Sequence, residues 1–154
     1  MQTWSLVGGS WHEGDAAEAT CRWFALDARD AANLEALAER YHLHPLAVED
    51  CLSHLLHAPK VDDFGDYLFI VLQAITVAHT GMDTQEFDAF VGSDFLITFV
   101  DDPQPFAETF GSVEQALREG RPVRQGADGL FYELADRMVD HALPQVDILA
   151  EELD

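Results

Sequence analysis

Apolar and polar positions change period several times along the chain, and each change predicts an element. Residues 3–7 and 21–26 read as strands around a turn holding Gly8, Gly9 and Gly14. Asp30 stands where an N-cap is expected, ahead of a helix reaching Tyr41 with Leu34, Leu37 and Ala38 on one face. Pro45 follows His44 and suits the first position of a second helix. Leu46, Ala47, Cys51 and Leu55 would form its inner side, and Pro59 would end the helical run. Residues 67–77 are rich in Phe, Ile, Val and Leu and too short to favour helix, so they predict a strand covered on both faces. Residues 86–91 and 95–100 flank Gly92-Ser93-Asp94 and read as a hairpin with glycine in the turn. A helix is expected over about 105–119, and Gly120 and Gly126 bracket a loop with Arg121 and Arg124.

The last segment is helical. Asp128 is its expected cap. At about 100° per residue, Leu130, Leu134, Met138, Ala142, Leu149 and Leu153 form one stripe, and Glu133, Asp136, Asp140, Asp147 and Glu151 lie on the other side. Acids three and four apart repel one another, and no lysine separates these. Pro144 should kink the helix or be tolerated at the loss of a hydrogen bond. The stripe still runs at Asp154 without a Gly or Asn cap, so the helix is expected to belong to a longer one.

Composition narrows the classes. The 154 residues suffice for one domain with a true core, and 48% hydrophobic content argues against disorder. Eight Lys+Arg against 29 Asp+Glu give a net charge of −21, which repels nucleic acid and anionic membrane surfaces and gathers cations. Cys21 and Cys51 lack CxxC spacing and sit among apolar residues, so buried free thiols are expected. No basic stretch followed by an apolar one marks a signal peptide, and the apolar run 68–72 is far short of the ~20 residues that cross a bilayer.

Candidate chemistry is sparse. There is no GxSxG, Cys-His signature, phosphate loop or GxGxxG, so no enzyme is expected. Glu49 and Asp50, as helical neighbours, point about 100° apart and do not form an acid/base pair. Phe64, Tyr67, Phe69, Phe90, Phe95 and Phe99 alternate with aliphatics at strand spacing and read as core. His42 and His44, then His54 and His57, are close in sequence. On a continued helix Asp50, His54 and His57 would share a face, and that donor set suits zinc, cobalt or nickel, against a merely structural role. The acid stripe is either a solvated face or a loose site for magnesium, a hard cation that keeps several waters and takes one or two carboxylates.

Three segments, HPLAVED (44–50), PKVDDFGDYLFIVLQAI (59–75) and ADGLFYELADRMVDHALPQVDILAEELD (127–154), resemble in order and spacing the N-terminal cytosolic domain of the CorA family of magnesium transporters. The resemblance runs from about residue 23 to the end. It implies an α/β (α+β) fold: a mixed central β-sheet sandwiched by helices over 1–125, then the start of a long stalk helix over 126–154. It implies a regulatory, ion-sensing domain on the cytoplasmic side of the inner membrane, in a homopentamer that reaches the membrane only through a segment beyond this chain. In that family, acids of the short helix in one subunit face acids of the stalk helix in the next. Glu49 and Asp50 match the former, Asp136 matches the latter, and Asp140 matches a further acidic position. The implied ion is Mg2+, with Co2+, Ni2+ or Zn2+ as further candidates; a further family ligand falls beyond Asp154. Where the family often has Arg before the proline of the turn, this chain has Ala58. The zinc-transporting branch of the superfamily and a free-standing acidic protein-interaction module are the alternatives.

Overall fold

The computed structural model describes residues 1–53, 55–78, 81–121, 123 and 126–153, with side-chain surroundings given outside 76–78, 82, 141–149 and 152–153. The strands β1 (Gln2–Val7), β2 (Ser10–Glu13), β3 (Cys21–Asp27), β4 (Lys60–Asp63), β5 (Tyr67–Ala78), β6 (Gly81–Gly92) and β7 (Phe95–Val100) form one mixed sheet in the order β2-β1-β3-β7-β6-β5-β4. Pairing is antiparallel throughout except between β3 and β7. Central β7 is buried at every position, as a strand covered on both faces must be.

Side-chain alternation divides the interior in two. Phe24, Leu26, Phe69, Val71, Phe90, Ile97 and Phe99 face α1 (Ala31–Tyr41) and α2 (Pro45–Leu52). Trp4, Trp23, Phe87, Ala89, Leu96 and Val100 face α3 (Ala107–Arg118) and α4 (Gly126–Leu153). Leu130, Leu134 and Met138 of the expected stripe are buried there, and Cys21 and Cys51 are buried free thiols. α4 continues through Pro144. Ala142, Asp147, Leu149 and Leu153 have side chains outside the described set, as do His54 and Arg124 altogether.

Local expectations needed correction in several places. Two edge strands were not expected, one inside the expected glycine turn and one in a segment given no element. Gly8 and Gly9, both at positive φ, form a tight turn into β2, where only Trp11 is buried; one apolar residue in four leaves no alternation to read. β4 (KVDD) is polar enough to resemble a loop, yet it pairs with β5. α2 stops at Leu52, because Ser53 is extended. Leu55 therefore lies past the helix and is 74% exposed. Leu46 is 63% exposed, and Val48 takes the inner face with Ala47 and Cys51. Asp30 precedes α1 but does not cap it: its carboxylate accepts from the Met1 ammonium (2.8 Å) and the Asp27 N–H (3.0 Å). Asp128 lies within the first turn of α4, which begins at Gly126. Gly92 is the last residue of β6 rather than a turn residue. A Cβ there would collide with the Phe95 ring, so close packing demands the glycine.

Candidate cation site

The start of α2 is fixed by its own sequence. His44 Nδ1 accepts from the Leu46 N–H (3.1 Å), and Pro45 opens the helix. The His44 ring stacks on Phe64, Phe64 stacks on Tyr67, and the Tyr67 hydroxyl accepts from the His44 N–H at 2.7 Å. With Ala47, Val48 and Cys51 turned inward, Glu49 is exposed and Asp50 sits half-buried on the flank beside β4.

Asp50 is not free. Its Oδ2 accepts from Lys60 Nζ at 3.0 Å, and its Oδ1 lies 3.5 Å from His57 Nε2. Lys60 also reaches Asp62 at 3.1 Å, and its ammonium pKa is raised by hydrogen bonds to Asp50 and then Asp62. His57 is held from the sheet: its N–H donates to Glu86 Oε1 (2.8 Å), its Nδ1 lies 3.1 Å from the same oxygen, and its carbonyl accepts from Gln73 Nε2. Two residues along β6, Asp88 is 2% exposed beneath α2, and its Oδ1 has no hydrogen-bond partner among the described residues. Burial pushes its carboxyl up to about 8, and the negative charge of Glu86 adds to this. Burial likewise lifts the neighbouring Cys51 thiol well above its ordinary value.

The two stalk-helix candidates lie elsewhere. Asp136 and Asp140 are exposed on α4, whose Ala127, Leu130, Leu134 and Met138 pack on the opposite sheet face from α2. Within one chain the sheet therefore separates Glu49 and Asp50 from Asp136 and Asp140. The acidic side of α4 is also less bare than the missing lysines suggested, since Arg137 pairs with Glu133 at 2.6 Å and donates to Ser112 Oγ at 3.0 Å.

The histidine constellation does not form as a helical face, because α2 ends before it. His57 reaches Asp50 from the loop instead. His44 is occupied as a cap, and His42 is an exposed left-handed residue closing α1. Among the described residues no three His, Cys, Asp or Glu side chains are grouped so as to hold a metal ion. The donors on α2 and α4 are carboxylates, hard oxygen ligands that fit a magnesium ion retaining much of its water. Glu86, Asp88 and Lys60 escaped the sequence reading. Acids at i and i+2 in an apolar strand were a usable signal for the first two; Lys60 lies in the polar segment KVDD, between the expected helix end at Pro59 and the expected strand from 67, where no element was predicted.

Comparison with known proteins agrees with this architecture. A family model described as CorA-like Mg2+ transporter protein matches residues 18–154. The putative metal ion transporter YfjQ of Bacillus subtilis (strain 168) is 31% identical over 80% of this chain and 38% of its own length. The cobalt/magnesium transport protein CorA of Thermotoga maritima is 26% identical over 79% of this chain and 34% of its own. The full-length CmaX protein superposes with a TM-score of 0.80 at 16% identity, over 100% of this chain and 49% of that one. The chain thus spans little more than a third of the two sequence relatives, and among its described residues no helix is long and apolar enough to cross a membrane.

Proposed function

The chain belongs to the CorA family of metal ion transporters, and we propose that it is the cytosolic ion-sensing domain of such a transporter, working by Mg2+ binding between neighbouring copies rather than by catalysis. Glu49 and Asp50 of one copy would face Asp136 and Asp140 of the next, within a homopentamer on the cytoplasmic side of the membrane. The observation that carries this reading is the placement of the two acid pairs on opposite faces of one sheet. An ion shared by both pairs needs a second copy. Carboxylates about 4 Å apart repel by ~1 kcal/mol in water and by ~4 kcal/mol near a protein surface. A bridging cation converts that repulsion to attraction and favours a closed ring; ion loss at low cytosolic magnesium loosens it.

The test is Asp50→Asn with Asp136→Asn in the full-length transporter, followed by limited proteolysis across a magnesium series. Wild type should gain protection with magnesium, and the double variant should stop responding. Equally steep protection in both would reduce these acids to surface charge. Asp136 is exposed, so its replacement should cost under about 0.5 kcal/mol. Asp50 has two partners and calls for a separate stability control.

A further inference from the structure

The carboxylate expected to receive the ion already holds a cation from its own chain. Lys60 Nζ stands 3.0 Å from Asp50 Oδ2 and 3.1 Å from Asp62, so one ammonium bridges an acid of α2 and an acid of β4. Its stem runs from an edge strand, and the ammonium lies 5.6 Å from the Phe69 ring centroid. Lys60 pairs with Asp50 of α2 and Asp62 of its own strand; Asp50 in turn meets His57 of the following loop, which pairs with Glu86 of β6, and Asp88 of β6 feels the charges of Glu86 and Asp50.

We infer that Lys60 is a built-in competitor for the divalent cation at Asp50, and that ion binding transfers its ammonium wholly to Asp62. The inference rests on the reading of Asp50 as an ion ligand and names how that site is regulated. An ammonium and a hydrated divalent ion cannot both occupy Asp50 Oδ2, and like charges at such a distance repel. Lys60 keeps an ion pair on leaving, because Asp62 is bonded before the move and needs no backbone change to remain so. His57 behaves in parallel. Its 3.5 Å approach to Asp50 is the longer contact, and it retains Glu86 through both its ring and its N–H. Each internal partner of Asp50 thus has a second carboxylate in reach. Competition raises the ion concentration at which the site fills, which suits a sensor of an abundant cytosolic ion better than a high-affinity trap.

The chain is titrated with MgCl2 at constant ionic strength as wild type, Lys60→Met, Lys60→Arg and Asp50→Asn, following backbone amide shifts around residues 49–51, and with Mn2+ for residue-specific broadening. Lys60→Met keeps an unbranched apolar chain without the charge and should bind Mg2+ about 2- to 5-fold more tightly, the range that removal of one half-exposed ion pair gives. Lys60→Arg should restore the wild-type affinity, which a merely structural role for the stem would not explain. Broadening in wild type should centre on Asp50 and vanish in Asp50→Asn. Loss of broadening in Asp50→Asn with unchanged or weaker binding in Lys60→Met would overturn the competitor role and leave Asp50 as a ligand. Unaltered broadening in Asp50→Asn would overturn both.

Discussion

Replacing Asp88 by Asn should remove a pH dependence that the fold now carries. In the unfolded chain this carboxyl ionises near its ordinary value of 3.8; in the folded protein burial, with Glu86 beside it, lifts it to about 8. Between those limits the folded state holds a proton that the unfolded state has released. Stability from this group is therefore present in full below about pH 4 and is lost as pH rises toward 8. The slope is at most ~1.4 kcal/mol per pH unit, so moving from pH 5.5 to 7.5 removes up to ~2.8 kcal/mol. In a domain of this size that is a fall of about 5–10 °C in Tm. Asn mimics the protonated side chain. The two proteins should converge only below about pH 4; the variant should already be the more stable at pH 5.5, and its advantage should widen by up to ~2.8 kcal/mol by pH 7.5. Calorimetry or urea unfolding at half-unit pH steps gives both curves, and titrations common to both, the histidines included, cancel in their difference. Asp15 and Asp27, held below the usual carboxylate range chiefly by hydrogen bonds from Arg22 and Arg29, lose their contributions only as pH falls below about 4, outside the window. Parallel curves from 5.5 to 7.5 would mean that Asp88 is ionised in the folded protein and that the reasoning is wrong.

Two glycines should respond in opposite directions. Gly92→Ala drives a methyl into the Phe95 ring, which is pinned by stacking on Tyr41, and should cost about 1–3 kcal/mol; Gly111→Ala, in the middle of α3 with nothing within 4 Å, should gain about 0.5–1 kcal/mol, both read from denaturant midpoints. Neither thiol should react with Ellman's reagent in the native protein at pH 8, since burial lifts Cys21 to about 11 and Cys51 well above its usual range, and both should react in guanidinium; prompt native labelling would refute the burial argument. Millimolar Mg2+ should raise the Tm of the chain by no more than a few degrees, as expected from ~1 kcal/mol of stabilisation at a split, weak site. A large shift at micromolar Mg2+ would reveal a complete site within one chain, and a large shift with zinc alone would favour histidine ligation.

The layers of this fold were legible because they depend on period. β3, β5, β6 and β7 bury alternate or consecutive apolar residues, and the stripe of α4 was readable from Leu130 to Met138. The edges were not legible, for a physical reason. An edge strand buries little and pairs through its backbone, so β2 buries only Trp11 and β4 buries no residue fully. The helix boundary at Leu52 was missed on similar grounds. Nothing in LSHLLHAP forbids helix before the proline. The chain leaves it because His57 is held on β6 and Gln73, contacts that lie 29 and 16 residues away in sequence.

The same distinction governs the site. The acids of α2 were named through the family resemblance that HPLAVED carries, where helix start and acid pair are contiguous. The electrostatic surroundings of Asp50 are assembled by three other segments, and no local window holds them together. Lys60 arrives from an edge strand, His57 from a loop, Glu86 and Asp88 from a central strand. A chain with a net charge of −21 would be expected to leave its carboxylates unpaired, yet it places one of its eight Lys+Arg residues on this acid. The scarcity of basic residues makes that placement informative. Surface acids elsewhere are screened by water at little cost, whereas Asp50, half-buried above the buried Asp88, needs a counter-charge whenever no external cation is bound. Lys60 supplies one that can be withdrawn without being stranded, since Asp62 holds it already. On the proposed reading of Asp50 as an ion ligand, its charge balance would then pass between an internal and an external cation without leaving either carboxylate unpaired, which is what reversible sensing would require of it.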